Sequence, residues 1–176
     1  MTDTLFENYR AELIDRIQAK RADDGLITTD LPSLSFYCSS TASEFATVIY
    51  EPSLCLVLQG SKEVVLGDEI YTLDDSSKYL LVSVHVPTRV RIKEASSKES
   101  YVALKLTFTM EDIFEVMKDI HTTMPIINPS TEAGLCFGEL KKVIDPLTRL
   151  VRLLDNPSSL KFMSSMIRKA NLSFYM

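Results

Sequence analysis

The stretch "LCLVLQGSKEVVLGDEIYTL", residues 54–73, decides the fold of this chain. It consists of apolar-rich runs with polar residues interspersed, and glycines at positions 60 and 67 separate the runs. Alternation with a period of two is typical of strands with one buried face, and glycine allows the tight turns between them. The stretch therefore predicts consecutive antiparallel strands whose interior can hold a small molecule.

The same pattern continues on both sides of this stretch, from about Ser33 to Phe108. The turns between the runs are rich in Pro, Gly, Asp and Ser, as tight connections require. About eight short strands at close spacing predict an antiparallel sandwich or small barrel. The runs are LSFYCSS, ATVIYE, LCLVLQG, KEVVLG, EIYTL, KYLLVSV, RVRIKEA and YVALKLTF.

Helical patterns flank the strands at both ends of the chain. Residues 3–22 predict an amphipathic helix, with Asp3 or Thr4 as its cap and Gly25 as its stop. The fold class is therefore mostly β with flanking α, in one structural domain. Residues 1–108 form the N-terminal helix and the barrel, and residues 109–176 form a helical segment that packs on the barrel.

The segment after residue 108 predicts two to three helices. Thr109 and Asp112 form a variant of the capping box at the first of them. The strongest pattern is "GELKKVIDPLTRLVRLLDNP", in which Pro146 either kinks the helix or marks a new first turn. A last helix is expected over roughly residues 159–175.

The apolar stripe of the strongest helix has two interpretations. It is either an intramolecular core face or a dimerisation seam, and the sequence leaves both open. The candidate residues for dimerisation are Leu140, Val143, Leu147, Leu150, Val151 and Leu154.

Composition limits the partners of the chain. A net charge of −5 and a pI near 5.1 argue against nucleic-acid binding by these 176 residues alone. No apolar run approaches the length of a membrane span, so a cytoplasmic protein without a membrane partner is expected. The three cysteines form no CxxC pair, which suits a reducing compartment and packed thiols.

Several segments together resemble the N-terminal domain of AraC-type transcriptional regulators. They are "YEPSLCLVLQGSKEVVLGDEIYTLDDSSKYLLVSVHVP", "EAS", "YVALKL" and "LTRLVRLLDNP", and the resemblance spans roughly residues 3–170. It implies a cupin-like antiparallel β-barrel, of the double-stranded β-helix or jelly-roll type, that binds a small effector and helps the regulator to dimerise. It also implies a C-terminal helix-turn-helix pair that reads DNA, and this pair is missing from the sequence.

The function that the resemblance implies is ligand sensing and homodimerisation in a bacterial-type DNA-binding transcription regulator. DNA would be contacted only through the missing C-terminal domain. The identity of the effector, the target genes, and the choice between activator and repressor stay open.

A metal-dependent cupin enzyme is the first alternative function. Such an enzyme needs three or four N or O ligands that converge inside the barrel. The chain has two histidines, His85 and His121, and no HxH pair, so no metal, cofactor or catalysis is expected. A pure dimerisation module without ligand is the second alternative.

Candidate effector contacts come from strand alternation. Inward side chains alternate along each strand, and both parities are open for each strand. For each strand we favour the alternating set that contains polar side chains, because a polar residue in an apolar strand needs a hydrogen-bonding partner or water. The same residues could instead face solvent. The candidates are Tyr50, Cys55, Gln59, Ser83 and His85, with Tyr37, Tyr71 and Tyr101 as candidate aromatic walls.

Overall fold

The computed structural model describes residues 2–75, 78–109, 111–112, 135–156 and 158–160. The described part contains ten strands and two α-helices that are described over their full length, α1 (Asp3–Ala19) and α2 (Ile144–Arg152). Short 3-10 turns, Leu140–Lys142 and Leu153–Asp155, lie on either side of α2. The strands are β1 (Gly25–Thr28), β2 (Leu34–Ser39), β3 (Ala46–Tyr50), β4 (Ser53–Gln59), β5 (Ser61–Leu66), β6 (Glu69–Asp74), β7 (Lys78–Val82), β8 (Val86–Glu94), β9 (Tyr101–Thr107) and β10 (Leu135–Glu139).

The strands form two antiparallel sheets that face each other. The larger sheet has the order β1-β2-β9-β4-β7-β10, and the smaller one has the order β3-β8-β5-β6. The prediction of a mostly β, cupin-like fold with flanking helices is confirmed. The closed barrel is not, because no pairing between described strands joins the two sheets edge to edge.

Strand β4 lies at the centre of the molecule and has two buried faces. Leu54, Leu56 and Leu58 belong to the core that includes α1 and the C-terminal helices. Cys55 and Val57 belong to the core between the sheets. The larger sheet is thus the middle of three layers, and the inward parity of β4 is that of Cys55 and Val57.

The helix ends differ in detail from the sequence expectations. Thr2 caps α1, and its side chain accepts a hydrogen bond from the Leu5 amide at 3.4 Å. The helix ends at Ala19 with Lys20 as its C-cap, and Gly25 instead begins β1 with a φ of +126°. Pro146 lies in the first turn of α2, where its missing N–H has no helical acceptor to lose, so it marks a new start rather than a kink.

The stripe of α2 and its flanking turns is packed inside this chain. The exposure of these side chains runs from 0% to 6%, and all of them join the core shared with α1 and the larger sheet. A dimer seam through them would require this core to open, so they are core residues. Dimerisation itself stays a prediction. The residues are Leu140, Val143, Leu147, Leu150, Val151 and Leu154.

The capping box at Thr109 is confirmed. The Thr109 amide donates to the Asp112 carboxylate at 2.9 Å, and the Asp112 amide donates to the Thr109 hydroxyl at 3.1 Å. The rest of that predicted helix, His121 and the last predicted helix beyond residue 160 lie outside the described residues. None of the helices that are described is long and apolar enough to cross a membrane.

A small network of ion pairs joins α1 to α2 on the protein surface. Glu12 accepts from the Arg152 guanidinium at 2.6 and 2.8 Å and from Arg16 at 2.8 Å, and Arg16 also binds Asp155. Hydrogen bonds from Arg152 lower the pKa of Glu12 to about 2, although partial burial opposes this shift. Glu12 is therefore ionised over the whole physiological range.

We expect Glu12→Gln to lower the free energy of unfolding at pH 7 by about 1 kcal/mol, as for a surface network of this kind. Because the folded-state pKa is depressed, this stabilisation is present above the unfolded pKa of 4.5 and is lost as pH falls toward 2. Urea unfolding of both proteins at pH 7 and pH 3 measures the difference. Glu7→Gln, in the more exposed pair with Arg10, is the control and should change less. A Glu12 effect that stays constant with pH would contradict this assignment.

Candidate ligand-binding site

A cavity of about 430 Å³ lies between the two sheets. It is bounded by β1, β2, β9 and β4 on one side and by β3, β8 and β5 on the other. Because β1 and β3 are the outermost strands of their sheets, the cavity opens between two sheet edges. The apolar part of its lining consists of Leu26, Phe36, Ala46, Val48, Ile49, Val90, Ile92, Ala103 and Leu104.

Lys62 supplies a cation to this largely apolar cavity. It lies on β5, the third strand from the open edge of the smaller sheet. Its ammonium donates to the Tyr50 hydroxyl at 3.1 Å and lies 5.5 Å from the centre of the Tyr50 ring. No ion pair joins Lys62 to a carboxylate in the described part of the chain, although buried lysines are normally paired.

Strand alternation places Lys62 on the cavity side of β5. It shares a face with Val64, which is fully buried, whereas the register shift against β8 leaves Lys93 of β8 without a residue directly opposite it on β5. The residue after Lys62, Glu63, lies on the other side of the sheet, where it pairs with Arg91 at 2.6 Å and Lys93 at 3.1 Å. On β5, ion pairs therefore neutralise the charge of Glu63, whereas no described carboxylate neutralises that of Lys62.

Two opposing effects act on the ionisation of Lys62. Burial lowers its pKa, and its electron-rich neighbours Tyr101, Tyr50 and Cys55 raise it, with the result that the pKa lies above its ordinary value. Burial raises the pKa of Tyr101 to about 12, although the Lys62 charge opposes this. At neutral pH the site therefore presents an ammonium beside a neutral phenol.

The cavity mouth combines apolar side chains with one ion pair. Leu26 is 66% exposed and Tyr37 41%, and both line the cavity. Lys105 lines the cavity near the mouth, and its ammonium is neutralised by Glu51 at 2.8 Å. Exposed Glu44 also lines the cavity, so the mouth carries apolar groups, one ion pair and one further carboxylate.

The structure places the predicted effector residues in two groups. Tyr50 and Cys55 line the cavity, as do Tyr37 and Tyr101 among the predicted aromatic walls. For these residues, contact with an effector stays a prediction.

The remaining predicted residues lie away from the cavity. Gln59 donates to the Ser100 carbonyl at 2.8 Å, and the Tyr71 ring packs 5.3 Å from Phe137. Ser83 and His85 are exposed in the connection between β7 and β8. Both follow the end of β7 at Val82, where Val84 is also exposed, and within β7 the inward residues are Leu80 and Val82, the set that the sequence analysis did not favour.

Sequence reasoning missed Lys62. The sequence indicates its position only through strand alternation, because Lys62 is two residues from Val64 and therefore lies on the same, buried face. The described residues contain no group of three His, Cys, Asp or Glu side chains that could hold a metal ion.

Two facing antiparallel sheets, backed by helices and enclosing a largely apolar cavity, define a cavity-bearing β-sandwich domain. The chain belongs to the AraC-type regulators: the family model described as the AraC-type transcriptional regulator N-terminus matches residues 30–170. The resemblance drawn from the sequence is thereby confirmed. No curated protein matches the chain significantly.

Crystal structures of ToxT from Vibrio cholerae share this fold. Wild-type ToxT of strain SCE256 with a bound unsaturated fatty acid gives a TM-score of 0.56 at 16% identity, over 88% of this chain and 54% of ToxT. ToxT of strain O395 bound to (E)-4-(8-methylnaphthalen-1-yl)but-3-enoic acid gives 0.52 at 15% identity, over 80% of this chain and 54% of ToxT. This chain therefore spans about half the length of the ToxT chains.

Proposed function

We propose that this chain is the effector-sensing domain of an AraC-type transcription regulator and that the cavity between the sheets is its sensing site. The observation that carries this proposal is an apolar cavity of about 430 Å³ with an uncompensated cation inside it. This volume is within the usual range for small-molecule sites, and a few polar groups in an apolar wall are typical of them.

The fold neighbours support a sensing role. Two of the ToxT structures contain organic acids, as an unsaturated fatty acid and as a naphthalenyl butenoic acid. A regulator built on this chain would contact DNA through a separate helix-turn-helix domain, as a homodimer in the cytoplasm. Residues 1–108 would carry the sensor, and residues 109–176 would connect it to that domain.

Strand β4 offers a physical route from ligand to helices. Its Cys55 face lines the cavity, and its Leu54, Leu56 and Leu58 face packs in the core of α1 and α2. A ligand that shifts β4 therefore changes the packing of the helices, and it selects between conformations by its differential affinity for them. We propose no catalytic role for the domain, in keeping with its membership of a regulator family.

Ala103→Leu tests this proposal, because Ala103 lines the cavity and the larger side chain would fill part of it. In the full-length regulator we expect this variant to bind operator DNA but to lose its response to the effector in a promoter reporter. His85→Ala, at an exposed position outside the cavity, is the matched control and should respond like the wild type. A normal response of Ala103→Leu would overturn the assignment of the site.

A further inference from the structure

We propose that the outer face of the smaller sheet docks an amphipathic helix of a partner protein, with a carboxylate of that helix at Arg89 and its apolar side chains on Ile49 and Ile70. This face lies on the opposite side of the sheet from the cavity, and the inference goes beyond the sensing role. Strand register, exposed apolar area and an unpaired guanidinium support it separately.

Strand alternation places Arg89 on this outer face. Val64 is fully buried in the core between the sheets, so its neighbour Val65 points the other way. Residues directly opposite each other in antiparallel strands share a face. Val65 is opposite Arg89 of β8 and Ile70 of β6, so all three side chains point outward.

Apolar groups lie on both sides of Arg89 and are exposed to water. Ile70 lies on one side, and on the edge strand β3 Ile49 is opposite Pro87, two residues before Arg89. Ile49 is 72% exposed and Ile70 60%, two of the three most exposed large hydrophobic residues of the described chain. Because β3 is an edge strand, Ile49 borders the cavity as well as this face. The outer patch consists of Ile49, Val65, Ile70, Pro87 and Arg89.

The shape of the outer patch fits a helix. Three strand spacings of about 4.8 Å separate β3 from β6, so the patch is about 14 Å wide, and a helix with its side chains is about 10–12 Å in diameter. The larger sheet is covered in the same way, since α1 and α2 pack in the core on its outer side. The exposure of Ile49 and Ile70 shows that no described helix covers the smaller sheet.

Arg89 carries the unpaired charge of the outer patch. Arg91 and Lys93, on the same strand, both bind the buried carboxylate of Glu63, at 2.6 and 3.1 Å. No ion pair joins Arg89 to a carboxylate in the described part of the chain. A carboxylate from a partner would form a charge-assisted pair with this guanidinium, and the pair can be bidentate. Charge complementarity therefore favours an acidic residue on the docked helix.

Other acidic groups of this face lie at its far end. Asp74 and Glu94 are both opposite Ser61, which is four residues along β5 from Val65. At about 3.3 Å per residue, about 13 Å separates this row from the row of Arg89. The apolar end of the face therefore has a cation and no described carboxylate beside it.

The Phe45 ring restricts the movement of Arg89. The centre of the ring lies 5.1 Å from the guanidinium carbon of Arg89 and 4.5 Å from that of Arg91. Glu44, the residue before Phe45, lines the cavity. A guanidinium that is already stacked loses less conformational entropy when a partner binds. An ordered arginine among apolar groups is typical of the residues that dominate the binding energy of interfaces.

A symmetric contact between two copies of the chain does not fit this charge. A two-fold axis through the outer patch would bring the two Arg89 side chains together with no described carboxylate between them, and like charges repel. The outer patch therefore favours a helix of another protein.

Three peptides of about 16 residues test the charge, because this length allows a helix to form. Each has one stripe of leucines, flanked by glutamate, glutamine or lysine. Fluorescence anisotropy with the full chain should show the tightest binding for the glutamate peptide and the weakest for the lysine peptide. Arg89→Gln should remove the preference for glutamate over glutamine, a loss of about 5-fold. Lys98→Gln, in the exposed connection between β8 and β9, is the control and should keep the preference.

The apolar contact has its own test at Ile70. Ile70→Ser should weaken all three peptides several-fold and keep the preference for glutamate, because it removes apolar area without a change of charge. Leu5→Ser, at an exposed leucine of α1, is the control and should bind like the wild type. Thermal melting checks that each variant is folded, and the ratio of two affinities does not depend on the folded fraction.

Three results would overturn the proposal. The first is a wild-type chain that binds none of the peptides, and the second is a preference for glutamate that survives Arg89→Gln. The third is a wild-type chain that self-associates in analytical ultracentrifugation and no longer does so as Arg89→Gln or Ile70→Ser. That result would assign the outer patch to a contact between copies of the chain.

Discussion

Replacing Gly60 with alanine is expected to lower the free energy of unfolding by about 3 kcal/mol or more, the sum of two separate costs. The backbone at Gly60 has a φ of +78°, a conformation that L-residues disfavour by about 1–2 kcal/mol. A Cβ there would also lie 2.4 Å from the Glu94 carbonyl oxygen and 3.2 Å from the Tyr101 Cα. Both neighbours are backbone atoms, so relief requires the β4–β5 turn to move.

Gly67→Ala is the matched control for this substitution. Its φ is +58°, but a Cβ at that position would meet no atom within 4 Å. Only the conformational cost remains, so we expect a loss of about 1 kcal/mol. Urea unfolding of the two variants measures the difference, and equal losses would show that the contact with Glu94 is relieved without cost.

Leu147→Ala is expected to lower the free energy of unfolding by about 3 kcal/mol, within the range for a fully buried leucine. Leu147 is 0% exposed and packs in the core shared by α2, α1 and the larger sheet. Truncation removes buried methyl groups and leaves a cavity that the neighbouring core residues refill only in part. Leu5→Ala, at a side chain that is 42% exposed, is the control and should cost much less.

The same variant distinguishes a core residue from an interface residue. If Leu147 is core, its loss shifts the unfolding midpoint by the same amount at every protein concentration. If it forms a dimer seam, the size of the shift varies with concentration, because unfolding is then coupled to dissociation. Unfolding at micromolar and tenfold higher concentration measures this. A concentration-dependent shift would contradict the packing described above.

Strand positions were the most predictable part of this fold. All eight predicted runs form strands, β2 to β9, because each has several apolar residues and a clear turn on either side. Strand β1 was missed, since its four residues alternate between half-buried and exposed. Strand β10 was also missed, because it contains Gly138 and directly precedes a helical pattern.

The closure of the sheets could not be predicted from the sequence. Alternation predicts which residues of a strand share a face, but it does not predict which strands pair with each other in a sheet. In β4 even the alternation is hidden, because helices bury one face and the smaller sheet buries the other. Its apolar run is therefore nearly continuous, as for any strand with two buried faces.

The candidate site was predictable only in part. Tyr50 and Cys55 stand out as polar or reactive groups in apolar strands, and both line the cavity. Lys62 does not stand out, since a lysine near a strand end is usually solvated. Its environment depends on the cavity between the sheets and on the Tyr50 hydroxyl, which are properties of the assembled sheets.

The two walls of the cavity differ in how freely they can change. A substitution on β4 changes the packing of two cores, because both faces of this strand are buried. Strands β3, β8 and β5 contribute to one core only, and their outer face is solvated or ion-paired. New specificities can therefore arise through the smaller sheet with little loss of stability. We expect the descendants of such a domain to diversify their ligands on one wall and to keep the other as an inherited scaffold.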